Sequence, residues 1–435
     1  MGTLIMIGQF LLGITILVGI HEAGHMLFAK LFGMRVEKFS IGFPPVAYSF
    51  KKGETIYQIG MIPLGGFVKI AGMVDESMDV NQLAEAPKSW EFRSKPAWQR
   101  MLVMLGGIIF NVVLGCLLFS FLLFKAGETV TPIDNMKYGL HVEELGKKIG
   151  LIEGDQIIAV NDEKVIYFHD ILGEKLLFGD SPEITVLRGI DSVYIAIPDY
   201  FLEELSNGSR FITYDFDFSI GQIQKNSNAE KAGLHKGDLF LGVNGIGSSS
   251  FYEFKTVLDN NKNKEVVLQL LRDNNEISVK ALVDSSGRLG FYPVNSFSTH
   301  SEIPFYVALG KGPLLAYDAV ANNIKGIGKM FSGKLDPAKS TKGMIGIAEM
   351  FGEEMTMNFW VICAYLTMAL AFFNLLPIPG LDGGHVMFLL YEMVVGKPAS
   401  QKVQEVALKL GFVLLITLML LVNGNELIQK VTNLF

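Results

Sequence analysis

Cysteine is scarce in this chain, and Lys and Arg are absent from its first 29 positions. The two cysteines, Cys116 and Cys363, lie inside apolar runs, which excludes a disulfide framework and a cysteine-based zinc cluster. No Lys or Arg precedes Lys30, and no small-residue cleavage site follows the first apolar run, so we expect that run to be retained as a membrane span. The formal net charge of −7 lacks the basic excess of nucleic-acid-binding proteins, and we expect no nucleic-acid partner.

Apolar residues are abundant instead. Half of the residues are hydrophobic and only 19% are charged, a balance typical of a chain with several membrane spans. We therefore predict a polytopic α-helical membrane protein in a lipid bilayer. Four segments approach the roughly 20 residues that a helix needs to cross a bilayer. They extend from Leu4 to Phe32, from Met101 to Phe124, from Phe359 to Leu376 and from Val403 to Val422.

The basic residues near these segments predict their orientation, because positive charge accumulates on the cytoplasmic side of membrane proteins. We therefore expect both termini and the long segment from Gly127 to Asn358 to lie in the periplasm, outside a bacterial inner membrane. The basic residues are Lys30, Arg35 and Lys38 after the first span, Lys95 and Arg100 before the second, and Lys397 and Lys402 between the third and fourth.

The stretch His21-Glu22-Ala23-Gly24-His25 lies near the cytoplasmic end of the first span. Residues four apart on a helix share a face, so the imidazoles of His21 and His25 form half of a tetrahedral zinc site. Glu22 is then placed to take a proton from water beside the metal. An ordinary polar kink that faces neighbouring helices is the alternative, although a Glu deep in a span costs about 2.5–3.5 kcal/mol.

A third zinc ligand is expected after the third span, because catalytic zinc sites usually have three protein ligands. The sequence there is NLLPIPGLDGGH, from Asn374 to His385. Pro377 and Pro379 break the helix and let irregular backbone line a cavity at membrane depth. Asp382 is the candidate ligand, since the third span also ends on the cytoplasmic side. A helix cap is the alternative role for Asp382, and His385 is a rival ligand.

Two strand-like pieces, Thr55 to Met61 and Gly66 to Gly72, lie in the loop between the first two spans. A turn at Ile62 to Gly65 is predicted to join them as a β-hairpin associated with the membrane domain. The pieces are apolar on both faces and rich in glycine. Two roles stay open from the residues alone: a small hairpin packed on the membrane domain, or a sheet edge beside the metal site.

The outer segment contains an internal repeat. Gly150 to Asp162 reads GLIEGDQIIAVND and Gly233 to Gly245 reads GLHKGDLFLGVNG, with six of thirteen positions identical at an offset of 83 residues. Each copy has a Gly-Asp turn before a β-rich alternation, which resembles PDZ domains. We predict two tandem β-rich PDZ-like domains; two β-domains of another kind are the alternative. An amphipathic helix from Pro313 to Phe331 follows, either on the outer membrane face or packed on those domains.

Together these motifs resemble the site-2 protease family of intramembrane zinc metalloproteases, and within it the bacterial regulator-of-sigma-E proteases. HEAGH in the first span, GFVKIAG in the following loop, the PDZ-like pair and NLLPIPGLDGGH after the third span occur in the family's order. The resemblance implies that His21, His25 and Asp382 bind Zn²⁺ and that Glu22 is the catalytic base. It also implies that Asn374 contacts the substrate and that an edge strand pairs with the substrate backbone. The strand residues are Gly66, Phe67, Val68, Lys69 and Ile70.

The function implied by the resemblance is regulated proteolysis, with cleavage within or near transmembrane segments of single-span membrane proteins. Anti-sigma factors and remnant signal peptides are the expected substrates, trimmed first by another protease. A metal transporter and a PDZ-based scaffold are the alternatives, but neither explains the complete set of two His, one Glu and one Asp. The predicted divisions are a first transmembrane helix (1–33), a cytoplasmic loop with the hairpin near 55–72 (34–96), a second helix (97–126), two PDZ-like domains (127–217 and 218–299), an amphipathic connection (300–357), a third helix with the Asp382 motif (358–390) and a fourth helix (400–426).

Overall fold

The computed structural model describes residues 2–73, 86–135, 140–179, 181–214, 216–247, 250–295, 299–352 and 356–432. Contacts divide the chain into two units. One comprises Met1–Gly127, Glu302–Gly328 and Pro337–Phe435, and the other comprises Glu128–Ser301 and Lys329–Asp336. The first unit carries the motifs of the predicted metal site, and the second carries the internal repeat.

Long helices dominate the first unit, and most strands belong to the second. The helices of the described residues are α1 (Gly2–Leu31), α2 (Ala97–Ala126), α3 (Glu144–Lys148), α4 (Phe168–Ile171), α5 (Glu174–Phe178), α6 (Tyr200–Ser206), α7 (Asn228–Lys231), α8 (Phe251–Asn260), α9 (Phe305–Phe331), α10 (Pro337–Ser340), α11 (Met344–Phe351), α12 (Asn358–Leu375), α13 (Asp382–Val395) and α14 (Gln401–Thr432). The strands are β1 (Val36–Lys52), β2 (Thr55–Ile70), β3 (Glu128–Val130), β4 (Leu140–Val142), β5 (Gln156–Val160), β6 (Glu163–Lys164), β7 (Glu183–Arg188), β8 (Asp191–Ala196), β9 (Ile212–Tyr214), β10 (Phe218–Ile223), β11 (Leu239–Val243), β12 (Glu265–Arg272), β13 (Asn275–Leu282), β14 (Phe291–Asn295) and β15 (Thr299–Ser301).

Four helices among the described residues, α1, α2, α12 and α14, are long and apolar enough to cross a membrane, as the sequence predicts. Helix is the expected form for such segments, because each backbone donor and acceptor is then paired within the segment and none is left exposed to lipid. α1 and α2 have 30 residues each, or about 45 Å at 1.5 Å per residue. Both helices therefore exceed the roughly 30 Å hydrocarbon layer and extend beyond it.

Helices α1 and α2 contact each other closely at a pair of glycines, Gly24 and Gly106. A β-carbon on Gly24 would collide with the carbonyl oxygen of Gly106, and one on Gly106 would lie 2.7 Å from the carbonyl oxygen of Gly24. Small residues at a helix crossing let the two backbones approach closely. Because Gly24 is the neighbour of His25, this crossing brings α2 directly beside the histidine pair.

Strands β1 and β2 are long and bent, and together they form a sheet of four strand segments, in which 38–41 runs parallel to 55–60 and antiparallel to 66–70. Tyr57 in β2 is opposite both Phe39 and Phe50 of β1, and Phe39 is also opposite Val68. The order across the sheet is therefore 46–52, 55–60, 38–41 and 66–70. Within the described ranges, the last segment pairs on one side alone, so it is an edge of this sheet.

The predicted hairpin is wrong in its pairing, because 38–41 of β1 lies between 55–60 and 66–70. The chain does reverse between these two segments, where the turn at Ile62 to Gly65 was predicted. A tight turn at Gly53, whose φ of 62° suits glycine, joins 46–52 to 55–60. Both strands bend where Gly42 and Gly60 meet, since a β-carbon on Gly60 would lie 2.5 Å from the carbonyl carbon of Gly42. The glycines and prolines that indicated a turn thus lie where the paired strands fold back, and β1 is a strand that the sequence analysis missed.

The second unit has two hydrophobic cores. One is built from residues between 140 and 211 and packs beneath the sheet β6-β5-β7-β8 and the β4–β9 pair. The other is built from residues between 218 and 289 and packs beneath the five-stranded sheet β13-β12-β11-β10-β14. These ranges fall within 127–217 and 218–299, and the assignment of each to a PDZ-like domain stays a prediction.

The repeated Gly-Asp turns have the same hydrogen-bonding in both copies. Asp155 and Asp238 are buried, and each accepts two hydrogen bonds from one arginine, Arg188 or Arg272, at 2.6–2.9 Å. The Arg188 guanidinium holds the pKa of Asp155 below its usual range. The compared stretches end before these arginines, so the sequence repeat alone did not reveal them.

The α9 helix begins at Phe305, eight residues before the predicted start, and Pro313 lies inside it. Its buried positions are all small residues. Ala316 and Ala319 share a hydrophobic core with Phe119 of α2. The helix therefore packs against a membrane-spanning helix, a contact that neither predicted placement included.

Candidate metal centre

His21 and His25 lie on the buried face of α1, one turn apart. Their Nε2 atoms are 3.2 Å apart, and their side chains are only 9% and 8% exposed. The Nδ1 atom of His25 lies 2.8 Å from the carbonyl oxygen of Val103 in α2, so Nδ1–H donates to that oxygen. In that tautomer the Nε2 atom of His25 carries a lone pair and is available to a metal.

Asp382 reaches the same point from the loop after α12. That helix ends at Leu375, because Pro377 and Pro379 cannot continue it. α13 begins at Asp382, and its N-cap is Leu381, without a side-chain capping bond. The capping role considered for Asp382 is therefore not the one that the structure gives it.

Two glycines let this loop fold beneath the start of α13. A β-carbon on Gly383 would lie 2.5 Å from the carbonyl oxygen of Leu375, and one on Gly384 would lie 2.6 Å from that of Ile378. Any side chain at these positions would push the loop away from the helix. The Asp-Gly-Gly sequence thus combines a carboxylate with the close backbone approach that directs it toward α1.

The three candidate ligand atoms form a nearly equilateral triangle. Oδ2 of Asp382 lies 3.1 Å from Nε2 of His21 and 3.3 Å from Nε2 of His25, beside the 3.2 Å between the two nitrogens. A tetrahedral zinc ion with bonds of about 2.0–2.1 Å would hold its ligands about 3.3 Å apart. Oδ2 is buried and has no hydrogen-bond partner within the described residues, as expected of a ligand atom. The triangle therefore fits three corners of a zinc tetrahedron and leaves the fourth corner for water or substrate.

His385, the rival ligand, is not part of this group of atoms in the described part of the chain. Asn374 does reach the group, because its Nδ2 atom lies 3.4 Å from Nε2 of His21. The amide therefore lies beside one of the three candidate ligand atoms.

Gly107 of α2 provides the space in which the imidazoles lie. A β-carbon there would be 2.5 Å from Cε1 of His21, 2.5 Å from Nε2 of His25 and 2.7 Å from Nδ1 of His21. Atoms at these distances overlap strongly, so no larger residue fits while the rings keep these positions. The glycine shapes the wall of the candidate metal site, a role that the sequence analysis missed.

The edge segment of β2 lies beside Glu22. A β-carbon on Gly66 would be 3.3 Å from Cγ of Glu22. Farther along the segment, Val68 packs on a core that contains Ile70 and Val103, and Nζ of Lys69 is 3.9 Å from a carboxylate oxygen of Glu37. Phe67 is opposite Ser40 of β1 in the sheet register. The strand that the resemblance singles out thus begins at the predicted catalytic base.

Asn111 of α2 is the other residue of the site that the sequence analysis missed. It is completely buried, and its Nδ2 atom lies 3.1 Å from Nδ1 of His21. A signal was present, because an amide inside an apolar span of a membrane helix is costly and needs a partner. The sequence alone did not identify the partner of Asn111, since the partner depends on how α1 and α2 cross.

Two histidines of an HExxH helix and a carboxylate from the first residue of α13, clustered among helices that can cross a membrane, form the ligand arrangement of a membrane-embedded metalloprotease centre. Comparison with known proteins agrees. Residues 9–418 match peptidase family M50. The regulator of sigma-W protease RasP of Bacillus subtilis is 27% identical over 435 residues, covering 94% of this chain and 95% of the relative.

Two other relatives extend across nearly the whole chain. The regulator of sigma E protease of Haemophilus influenzae is 25% identical over 448 residues, with 97% of this chain and 98% of the relative covered. A protein named as a zinc metalloprotease in Neisseria meningitidis serogroup A is 27% identical over 447 residues, with 96% and 97% covered. The chain belongs to peptidase family M50, the site-2 protease family, and is an intramembrane zinc metalloprotease of regulated proteolysis. This confirms the recognition made from the motifs.

Proposed function

We propose that His21, His25 and Asp382 hold the zinc ion of this metalloprotease and that Glu22 is its catalytic base. The observation that carries the proposal is the triangle of three ligand atoms with sides of 3.1–3.3 Å. Bound zinc would polarise the scissile carbonyl and make water a nucleophile near neutral pH. Glu22 takes the proton of the attacking water and returns it to the leaving amine.

The proposed substrates are transmembrane segments of single-span membrane proteins. The relatives named as regulators of sigma-W and sigma-E support membrane-bound regulators of transcription, such as anti-sigma factors, as one class. Remnant signal peptides share the same physical form, a single apolar helix, and are a second class. A helical substrate presents a specific difficulty, because its carbonyls and amides are already bonded to each other.

The edge segment of β2 offers a solution to that difficulty. Unwinding one turn of a helix in lipid leaves polar groups unsatisfied, each at a cost of several kcal/mol. Strand addition to Gly66–Ile70 would replace those bonds with ladder bonds. Since Gly66 lies beside Glu22, a paired substrate would pass the base as it leaves the sheet. Asn374, beside His21, would then contact the substrate near the cleaved bond.

The two β-rich domains of the second unit would select substrates rather than take part in the reaction. The distribution of basic residues supports a periplasmic position for them and for both termini, outside a bacterial inner membrane, with the metal site toward the cytoplasm. A bulky outer domain on a substrate would then be excluded until another protease trims it. This accounts for an enzyme that acts second in a sequence of two cleavages.

The decisive variant is Glu22→Gln, which removes the base and keeps the shape of the side chain. We expect cleavage of a trimmed single-span substrate in liposomes to fall below detection while zinc content stays at the level of the parent. Zinc flux through the same liposomes that survives the substitution would favour a transporter. Substrate capture without cleavage by the parent enzyme would favour a scaffold.

A further inference from the structure

A polar residue is buried in α2 at the level of the histidine pair. Asn111 is fully buried, and its Oδ1 atom has no hydrogen-bond partner among the described residues. Its Nδ2 atom lies 3.1 Å from Nδ1 of His21. Thr367 of α12, which is also fully buried, donates from Oγ1 to the backbone oxygen of Asn111 at 3.2 Å. Among the described residues, the hydrogen bond of this side-chain amide is therefore with the His21 imidazole.

The second imidazole has a matching partner on the same helix. Nδ1 of His25 lies 2.8 Å from the backbone oxygen of Val103, eight residues before Asn111. Positions 103, 107 and 111 follow one another at four-residue intervals and share a face of α2. Gly107 lies between the two partners, against both rings. The face thus presents one group to each Nδ1 atom, and the glycine between these groups leaves room for the two rings.

A metal-ligating histidine needs a proton on the nitrogen that does not bind the metal. When Nε2 is the ligand, Nδ1 carries the hydrogen and needs an acceptor. Val103 supplies a carbonyl oxygen to His25. At His21 the side chain of Asn111 supplies an acceptor when its amide is turned by 180°, because that rotation exchanges Oδ1 and Nδ2. The turned amide pairs Oδ1 with that N–H and moves Nδ2 to the position where Oδ1 had no partner.

We propose that Asn111 is a positioning residue for the metal ligand His21: its side-chain oxygen accepts Nδ1–H and keeps the Nε2 lone pair directed at the zinc position. The proposal rests on the proposed role of His21 as a ligand. It assigns to α2 a second function besides crossing the membrane, since one face of that helix orients both histidines of α1. Partners of this kind typically change metal affinity 10–100-fold when they are removed.

The test measures zinc affinity of the full-length protein in detergent by competition with a chromogenic chelator. Asn111→Leu, which has a similar size and no acceptor, should bind zinc roughly 10–100-fold more weakly. Asn111→Asp, which can only accept, should bind within a few-fold of the parent. Thr367→Val is the matched control, because it removes a buried polar group at the same level without touching His21, and it should leave the affinity unchanged.

Each outcome bears on the proposal. Parent-like affinity in Asn111→Leu would overturn it, and so would equal losses in the Leu and Asp variants, since the amide would then serve packing alone. If Asn111→Leu does not fold, Asn111→Ala repeats the comparison without added bulk. His21→Ala, measured in parallel, separates the two levels of the argument: full zinc affinity in that variant removes His21 from the ligand set, whatever Asn111 does.

Discussion

Gly66 of the sheet edge lies directly against Glu22 of the HExxH helix. A β-carbon at Gly66 would be 3.3 Å from Cγ of Glu22 and 3.2 Å from a methyl carbon of Val18, one turn earlier in α1. The absence of a side chain therefore lets the backbone of the edge segment approach the proposed base. Substrate pairing and proton transfer would take place within one small region of the enzyme.

Proline substitutions in the edge segment test strand addition. Neighbouring residues of a strand direct their N–H groups to opposite sides, so Val68→Pro and Lys69→Pro remove donors on opposite edges. The proline that removes the donor facing away from β1 should slow cleavage of a stable helical substrate roughly 5- to 150-fold, the cost of an unsatisfied backbone group. Kinetics on that substrate, with zinc content measured alongside, check this.

Two controls accompany the prolines. Val68→Thr keeps every backbone group and should have a mild effect. The loss should shrink for substrates with Gly or Pro near the cut, since these unwind at lower cost. If both proline variants cleave a stable helix at the parental rate, the sheet edge has no part in substrate binding.

Gly107→Ala should weaken zinc binding. The added methyl carbon would overlap the rings of His21 and His25 at 2.5 Å, so both ligands must move. We expect an affinity loss of at least about tenfold, comparable with the loss of a ligand-orienting neighbour. Chelator competition on the purified protein measures it.

Gly115→Ala is the matched control on the same helix. A β-carbon there would lie 2.2 Å from Sδ and 2.9 Å from Cγ of Met368, so the adjustment would fall on that side chain and not on the histidine rings. This variant should keep parental zinc affinity. Equal losses in the two variants would mean that α2 tolerates no alanine at its glycines, and the specific role of Gly107 would be lost.

Much of the membrane part could be predicted from the sequence, because its signals are local. The length of an apolar run predicts a span, and the four-residue interval between His21 and His25 predicts a shared face. The two prolines before Asp382 predict the end of α12, which the structure has at Leu375. Each of these inferences needs only neighbouring residues.

Contacts between distant segments could not be predicted in this way. Segment 38–41 of β1 pairs with 55–60 on one side and 66–70 on the other, which depends on where both strands bend. Both Gly42 and Gly60 are needed there, because the two backbones meet at that point. The roles of Gly107 and Asn111 depend on the depth at which α1 and α2 cross. One glycine and one asparagine in an apolar run do not reveal that they face a histidine pair 90 residues away.

The choice between Asp382 and His385 as third ligand can be decided by substitution. Asp382→Ala removes one corner of the triangle and should weaken zinc binding by more than roughly 100-fold, a larger loss than for an outer neighbour. His385→Ala should retain zinc, because its ring is not among the clustered ligand atoms. Elemental analysis of both purified variants measures this; the opposite pattern would give the third position to His385.

Removing the β-rich domains should relax substrate choice and leave the chemistry intact. The structure suggests how to cut, since β3 and β15 pair antiparallel with Val130 opposite Thr299. Deleting 131–298 and joining those two residues through Asn-Gly would close a two-residue hairpin of a favoured type. We expect parental zinc content, cleavage of a trimmed substrate at a rate close to that of the parent, and new cleavage of the untrimmed form.

One contact needs its own control in that experiment. Nζ of Lys334 lies 2.6 Å from a carboxylate oxygen of Asp199, and Nζ of Lys329 donates to the carbonyl oxygen of Gly179, so the deletion removes the partners of both lysines. Lys334→Ala in the full-length protein isolates part of this loss and should leave substrate choice unchanged. If the truncated protein holds zinc but cleaves no trimmed substrate while Lys334→Ala remains active, the domains contribute to the reaction itself. The β-rich domains would then do more than select substrates by size.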